Sequence, residues 1–412
     1  MKVTGLITEY NPFHNGHLYH MQKAQELTGA DAVVAVMSGN YVQRGAPAVM
    51  PKHLRVKMAL EAGVSAVFEL PLCCALGSAE YFAEGAVSLL EHLGCVDAIC
   101  FGSECGDLTP LQDIAEVLTE EPEAYRLLLK KELKNGASFP QARQTALSSY
   151  LKNEKAVQLM AHPNNILGIE YLKALYKRNS PIKAYTISRI ASGYHDQALS
   201  ENYSSAAAIR TLLAQTENRD IPSMLAGQVP PAAFRILTEN WERRGPVCAD
   251  DFSLIFKYKL LEETSASLIH YADVTEDLAN RILKYSDRFV SFSQFCNLLN
   301  TKEMTYTRIS RCLFHILLNI TGDDMEAYKK EDFCSYARLL GFRKDRESLL
   351  SLIKEKSPVP LVTKLADAAG LGSTGTDMLK HDIFAAGLYE SVITEKYKLP
   401  FISEYRQQIV RV

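Results

Sequence analysis

The sequence predicts an α/β fold, a parallel sheet with helices on both faces, followed by an α-helical domain. Three observations lead there. Short apolar runs alternate with longer amphipathic ones in the first half, a polar, proline-bearing stretch follows Gln215, and the periodicity beyond it is almost wholly helical. Strand, helix and strand at these lengths need crossover connections, which make neighbouring strands parallel.

"KVTGLIT" opens the chain as a strand, and "GHLYHMQKAQEL" follows with the spacing of a helix. "AVVAVM", "AVFELP" and "DAICFG" read as further strands, separated by the helix-like "KHLRVKMALEAG" and "AEYFAEGAVSLLEHLG". A helical insertion with charged faces, about 108–160, precedes "IKAYTI", which reads as one more strand, and "SSAAAIRTLLA", Ser204 to Ala214, closes this part as a helix. "ENRDIPSM" and "GQVPPAAF" then form a connector, so the expected domains are 1–215 and 216–412. "SLIFKYKLLEET", "ANRILKY" and "RISRCLFHILLNI" carry the helical period of the second, and no internal repeat is visible.

At 412 residues, with 47% apolar and 23% charged residues and a net charge of −3, the composition is that of an ordinary globular protein and argues against disorder. Mild acidity leaves nucleic acid open as a partner, because only a local basic face has to meet phosphates. "MKVTGLITEY" is too short and too soon acidic for a secretory signal, and no run of about 18 apolar residues suggests a membrane span. Cytoplasm is the simplest location, with no membrane and no protein partner evident. Nine cysteines, scattered from Cys73 to Cys334 without zinc-site spacing, read as buried thiols in a reducing compartment.

The stretch "EYNPFHNGHLYH", Glu9 to His20, places three histidines three residues apart where the first strand stops. In a parallel sheet the carboxyl end of a strand is where ligands bind, and a helix beginning near Gly16 presents free N–H groups and a positive dipole end to an anion. His14 and His17 can aim ring N–H donors at the same oxygens, which suits a triphosphate whose charge shifts during displacement. A metal site is the competing reading, but a third ligand and the His-Glu-x-x-His pattern are both missing, so no metal ligands are assigned. His20, one turn further in, fits packing as well as binding.

Lys52 and Arg44, in "VQRGAPAVMPKHLR", are candidates to neutralise phosphates or a carboxylate, against the alternative that both are solvated surface charges. "GLGSTG", Gly370 to Gly375, matches Gly-x-Gly-x-x-Gly but follows a helix-like run, so it is expected as a loop between helices. Lys302, Arg308 and Arg311, near one helical side with Tyr306, and Arg343, Lys344 and Arg346 in "GFRKDR" are two basic clusters that fit either a phosphate-tracking surface or a solvated face.

"HNGH" after a first strand resembles the His-x-Gly-His signature of the nucleotidylyl transferase superfamily. "FGSE", Phe101 to Glu104, resembles its nucleotide-contacting segment, and "SAAAIR", Ser205 to Arg210, resembles its second signature, with Ala207 where a hydroxyl is usual. Longer stretches, "MSGNYVQRGAPAVMPKHLRVKMALEAG", "FELP", "SAEYFAEGAVSLL", "FGSECGD", "NNILGIEY" and "SRIASGYHD", are similar to one family, tRNA(Met) cytidine acetate ligase, and "TYTRISRCLFHILL" extends the likeness more weakly into the second half.

The resemblance implies a Rossmann-like nucleotidylyltransferase domain over 1–215 and a tRNA-binding helical domain over 216–412. It implies a ligase that turns ATP and acetate into acetyl-adenylate and pyrophosphate. The acetyl group then passes to N4 of the wobble cytidine of elongator tRNA(Met), giving N4-acetylcytidine and AMP, with Mg2+ expected on the phosphates. His14, His17 and Lys52 are the catalytic candidates. The ATP contacts it implies are Ile7, Thr8, Glu9, Tyr10, Asn11, Pro12, Phe13, His14, Asn15, Gly16, His17, Leu18, Tyr19, His20, Gly102, one of Asn164 and Asn165, Arg189, Ser205 and Arg210. The Asn pair equally fits a helix cap. Lys302, Arg308, Arg311, Arg343 and Lys344 are the candidate tRNA contacts. Two rivals share these residues: a small-molecule carboxylate ligase or adenylyltransferase with the same ATP site, and a non-catalytic nucleotide- or RNA-binding protein.

Overall fold

The computed structural model describes residues 1–153, 158–189, 205–215, 225–241 and 243–412. The strands are β1 (Val3–Thr8), β2 (Ala32–Ser38), β3 (Tyr41–Val42), β4 (Ala46–Pro47), β5 (Ala66–Leu70), β6 (Ala98–Ser103), β7 (Lys183–Ser188), β8 (Ala337–Phe342), β9 (Leu361–Val362) and β10 (Val410–Arg411). The sheet runs β10-β8-β5-β2-β1-β6-β7 with β9 also on β8, and β3 and β4 form a separate pair. Every pairing in the large sheet is parallel except β5 with β8.

The pleat divides the core into two layers. In β2, Val34 and Val36 face one cluster, whereas Val33, Ala35 and Met37 face the other. A strand buried on both sides has to be apolar at every position, which is why "AVVAVM" does not alternate. The helices α1 (Asn15–Thr28), α2 (Lys52–Glu61), α3 (Leu72–Ala75) and α4 (Ala79–His92) lie among these crossovers. Gly29, at φ 63°, ends α1 in the left-handed conformation that glycine adopts without penalty.

Among the described residues of the expected insertion are the helices Thr109–Glu120, Glu123–Lys134 and Phe139–Leu151. "IKAYTI" is β7, pairing Cys100 with Tyr185, and "SSAAAIRTLLA" forms the helix Ala206–Gln215, with Ser204 outside the described residues. "ENRDIPSM" and most of "SRIASGYHD" also lie outside them.

Residues beyond 215 are mostly helical, as expected and as in Ser253–Glu262, Glu276–Tyr285 and Tyr306–Leu317, but they also supply strands to the sheet that the helical period did not announce. "ARLLGF" is β8, which pairs Ala66 with Phe342 and Val67 with Gly341, and β10 lies on its outer side. The reason is that a fully buried six-residue apolar run has no period of its own, so helix and strand look alike in sequence. A Cβ on Gly341 would stand 2.7 Å from both the Val410 carbonyl oxygen and Val56 Cγ1, so this added edge packs closely on α2. In "GLGSTG" the link between helices is shorter than expected, because the helix Ser373–Tyr397 has already begun within it. All nine cysteines are free thiols, and among the described residues no helix is long and apolar enough to cross a membrane.

Candidate nucleotide-binding site

β2 leaves β1 on one side and β6 lies on the other, so the chain reverses its direction of sheet growth between β1 and β6. A crevice opens at such a switch point beyond the carboxyl ends of the strands. The turn from β1 into α1 stands there and carries the histidines.

His14 is the N-cap of α1, in extended conformation (φ −140°, ψ 174°). Its Nδ1 accepts the Gly16 N–H at 3.0 Å, and His17 Nδ1 accepts the backbone N–H of His14 at 3.3 Å. The two histidines thus satisfy each other's helix end as Ser and Glu do in a capping box. One consequence is chemical. An Nδ1 that accepts has no proton, so in the neutral ring the proton is on Nε2, and both imidazoles carry an Nε2–H donor. The rings stack with centroids 3.8 Å apart and are backed by Tyr10 and Phe13, whose rings lie 5.0 and 5.7 Å from that of His17.

Burial, then the charges of Arg189 and Arg210, lowers the His14 pKa to about 3. Burial, then His14 and Arg189, also holds His17 well below the usual range. Both rings are therefore neutral donors near pH 7. His20 is used otherwise: its Nε2 is 3.1 Å from the Cys100 carbonyl oxygen, which anchors α1 to β6.

Arg210, on the helix Ala206–Gln215, donates to the Asn11 carbonyl at 3.0 Å, and Asn11 Oδ1 accepts the Val49 N–H at 2.8 Å. Ser205 Oγ accepts the Ala208 N–H at 3.0 Å, capping that helix. Gly102, near the end of β6, faces Arg189: a Cβ there would come within 3.1 Å of Arg189 Cγ. Arg189 in turn donates to Asn164 Oδ1 at 3.1 Å.

The asparagine pair separates into two roles. Asn165 is buried and used up, accepting from the Glu104 and Cys105 N–H groups and donating to the Leu159 carbonyl. Asn164 is the half-buried member, tied to Glu104 and turned toward Arg189. Neither caps the helix Pro163–Lys177 through its side chain; Glu104 does so by accepting the N–H groups of Asn164 at 3.2 Å and Asn165 at 2.8 Å.

Within the segment from Ile7 to His20, several residues are scaffold. Tyr10, Asn11 and Phe13 are buried, Thr8 Oγ1 reaches the Val36 carbonyl at 3.5 Å, and Leu18 packs against the core. Asn15 Nδ2 donates to the Gly227 carbonyl at 2.6 Å, linking α1 to the start of the second half. Ile7, Pro12, Gly16 and Tyr19 complete the same strand, turn and helix.

Lys52 lies in a different setting from the histidines. Expected as a catalytic group, it is 1% exposed, and its Nζ lies 2.7 Å from Glu69 Oε1 and 2.6 Å from Glu404 Oε1. Arg338 closes the group, 2.9 Å from Glu69 and also paired with Glu404. Burial alone would raise the Glu404 carboxyl, but Lys52, His53 and Arg338 outweigh it and hold it well below the usual carboxylate range. The charges acting on His14 and His17 are Arg189, Arg210 and neighbouring histidines, not Lys52. Its positive charge was legible in sequence, whereas its partners come from β5, β8 and the last turn of the chain.

Sequence reasoning also missed Arg55. Fully buried in α2, it donates to the carbonyls of Glu9, Ser38, Gly39 and Met50 and so ties together the ends of β1 and β2. Its only sequence signal is a cation inside the apolar face of "KHLRVKMAL".

Among the described residues no group of three or more His, Cys, Asp or Glu is placed to hold a metal ion. The donor set among those residues fits no resident metal cage. Of the candidate RNA contacts, Lys302, Arg308 and Lys344 are exposed, Arg311 is half-buried, and Arg343 is closed on Asp345 at 2.8 Å.

Paired neutral imidazoles at a helix start, at the switch point of a parallel sheet, define a nucleotidyl transferase, and the family model described as HIGH Nucleotidyl Transferase matches residues 1–401. The chain is 45% identical to the tRNA(Met) cytidine acetate ligase of Acetivibrio thermocellus, covering 89% of each chain, and 42% identical to that of Thermoanaerobacter sp., covering 94% and 95%. The crystal structure of Thermotoga maritima TmcAL bound with alpha-thio ATP is similar at a TM-score of 0.91 and 32% identity, over 100% of this chain and 99% of that one. Its apo form gives a TM-score of 0.92. The chain belongs to the tRNA(Met) cytidine acetate ligase family.

Proposed function

We propose that this chain activates acetate with ATP and transfers the acetyl group to N4 of the wobble cytidine of elongator tRNA(Met). The observation that carries the chemistry is the pair of Nε2–H donors fixed by the His14 and His17 cap. An acetate oxygen attacks the α-phosphorus of ATP, and the bond to the pyrophosphate oxygen breaks. Negative charge grows on the non-bridging and leaving oxygens, where His14, His17, the start of α1 and Arg210 supply donors already in place. In the second step the cytidine N4 attacks the acetyl carbonyl, AMP departs with the bridging oxygen, and N4 loses a proton.

Activation is required by the reactants. Acetate is a poor acyl donor, and the cytosine amine is a weak nucleophile because its lone pair is delocalised into the ring. Asn164, Arg189 and Gly102 border the nucleotide in this reading, and Lys302, Arg308 and Arg311 belong to the tRNA side. Mg2+ enters as a companion of the triphosphate, with no protein ligand assigned. Residues 1–215, completed by β8 and β10, form the catalytic body, and the helices beyond 215 serve the tRNA. The cytoplasm, where unmodified tRNA, ATP and acetate meet, is the expected location.

The test is incubation with ATP, carbon-labelled acetate and unmodified elongator tRNA(Met), with each omitted in turn, followed by nucleoside analysis. Label in N4-acetylcytidine that needs all three is expected. Acetyl-adenylate without labelled tRNA would refute the acceptor.

A further inference from the structure

The helix Glu276–Tyr285 and the short 3-10 turn Ser286–Arg288 after it carry a feature the reaction does not use. Three cations surround one half-buried ring: Arg281 at 5.5 Å, Lys284 at 5.7 Å and Arg288 at 5.5 Å from the Tyr285 centroid. Their spacing of three, four and seven residues puts all of them on one side. Among the described residues none of the three is in an ion pair, and Arg281 Nε is buried without a hydrogen-bond partner. Asp287, inside the same segment, makes no ion pair with them. Lys257, 5.8 Å from the Phe289 centroid and donating to the Ser286 carbonyl, extends the positive patch. Leu254, Tyr258 and Val290 are exposed beside it.

Like charges gathered on one aromatic ring repel each other in the free protein, and a polyanion relieves that repulsion. Phosphates suit the cations, and the ring offers a platform on which an unstacked base can lie. The patch is joined to the nucleotide site by contacts. Arg281 reaches the Leu298 carbonyl at the end of the helix Phe292–Leu299, and the following turn leads through Lys302 to Arg308 and Arg311. Ser310 then bonds the Gly45 carbonyl, next to Arg44, whose charge acts on Arg210.

We propose that Arg281, Lys284 and Arg288 around Tyr285 are a docking site for the anticodon arm of the tRNA, the cations on its phosphates and Tyr285 against a loop base. This rests on the ligase reading above. The test is tRNA binding and acetate-dependent ATP–pyrophosphate exchange, measured on the R281A/K284A/R288A variant, on Lys284→Glu alone and on Tyr285→Ala and Tyr285→Phe. Binding of elongator tRNA(Met) by the triple variant is expected to weaken at least about tenfold, with a salt dependence shallower by about two to three in log–log slope. Lys284→Glu, an exposed change that spares folding, weakens binding in the same direction. Tyr285→Phe retains affinity that Tyr285→Ala loses, and exchange stays within about twofold throughout. Binding within twofold of wild type in both the triple variant and Lys284→Glu overturns the site, as would self-association that the variants abolish while tRNA binding persists. The ligase reading fails separately, if the wild-type chain runs the exchange and acetylates no tRNA.

Discussion

Lys52 and Arg210 are both cations close to the carboxyl ends of the central strands, yet their surroundings are opposite. Lys52 faces two carboxylates in a space lined by Gly39, Asn40, Tyr41 and Asp382, and Arg338 completes a closed set of charges. Arg210 donates to a backbone carbonyl, stands with His14 and His17, and is in no ion pair among the described residues. The difference lies in pairing: Arg210 feels the charge of Glu9 without closing on it in an ion pair among the described residues, whereas Lys52 is closed on both Glu69 and Glu404. Where carboxylates are supplied, the same residue types become a fastening between distant parts of the chain.

The strongest way to break the comparison is Lys52→Met. Removing Lys52 leaves two buried carboxylates, Glu69 and Glu404, with Arg338 as their remaining close basic partner and should cost about 3–5 kcal/mol, read as a lower midpoint in denaturant. A midpoint close to wild type with adenylation lost would return Lys52 to catalysis. His17→Asn should act the other way, lowering acetate-dependent pyrophosphate exchange about 100- to 1000-fold, because one donor to the developing charge is gone. His14→Asn keeps a capping oxygen and should behave alike, whereas His14→Ala adds about 1 kcal/mol of destabilisation from the lost cap.

Gly16→Ala sharpens the contrast. Its Cβ would stand 2.8 Å from His14 Cε1, so the ring has to shift. Exchange should fall on the order of tenfold to 100-fold, with stability at or above wild type because alanine favours the helix. An unchanged rate would show that the His14 position is not critical.

A further effect is set by pH. The folded His14 pKa, lowered to about 3 by burial, lies below its unfolded value near 6.5, so the unfolded chain takes up the proton first. Its contribution is complete above about pH 6.5 and is lost progressively as pH falls toward 3, amounting to about 2 kcal/mol at pH 5. Urea midpoints from pH 8 to 5 should decline, and less so in a His14→Asn variant.

How far the sequence could be read follows from where each signal is stored. β1, β2, β5 and β6 were legible because apolar runs and the helices between them alternate locally. β8 was hidden, since "ARLLGF" looks alike as buried strand or helix and its partner β5 is distant in sequence. The histidine pair was legible from its turn residues, but not that the two rings cap their own helix and thereby fix their tautomers. His14 is also buried, which its neighbouring turn residues do not announce in sequence. In "NNILGIEY" only geometry distinguishes Asn164 from Asn165. The Tyr285 cluster lies within "ANRILKY" and its continuation, where helical periodicity alone gives no sign that three cations share one ring.

The pairing of β5 with β8 also sets an order on synthesis. When Leu70 has left the ribosome, the outer edge of β5 has no neighbour, and Lys52 and Glu69 lack Arg338 and Glu404. At about 5–20 residues per second the edge waits some tens of seconds for Ala337 to follow. Until then the nascent half presents an open strand that another chain can pair with. A message truncated before β8 thus leaves the β5 edge uncovered, and such a fragment is expected to aggregate rather than act as a small, independent enzyme.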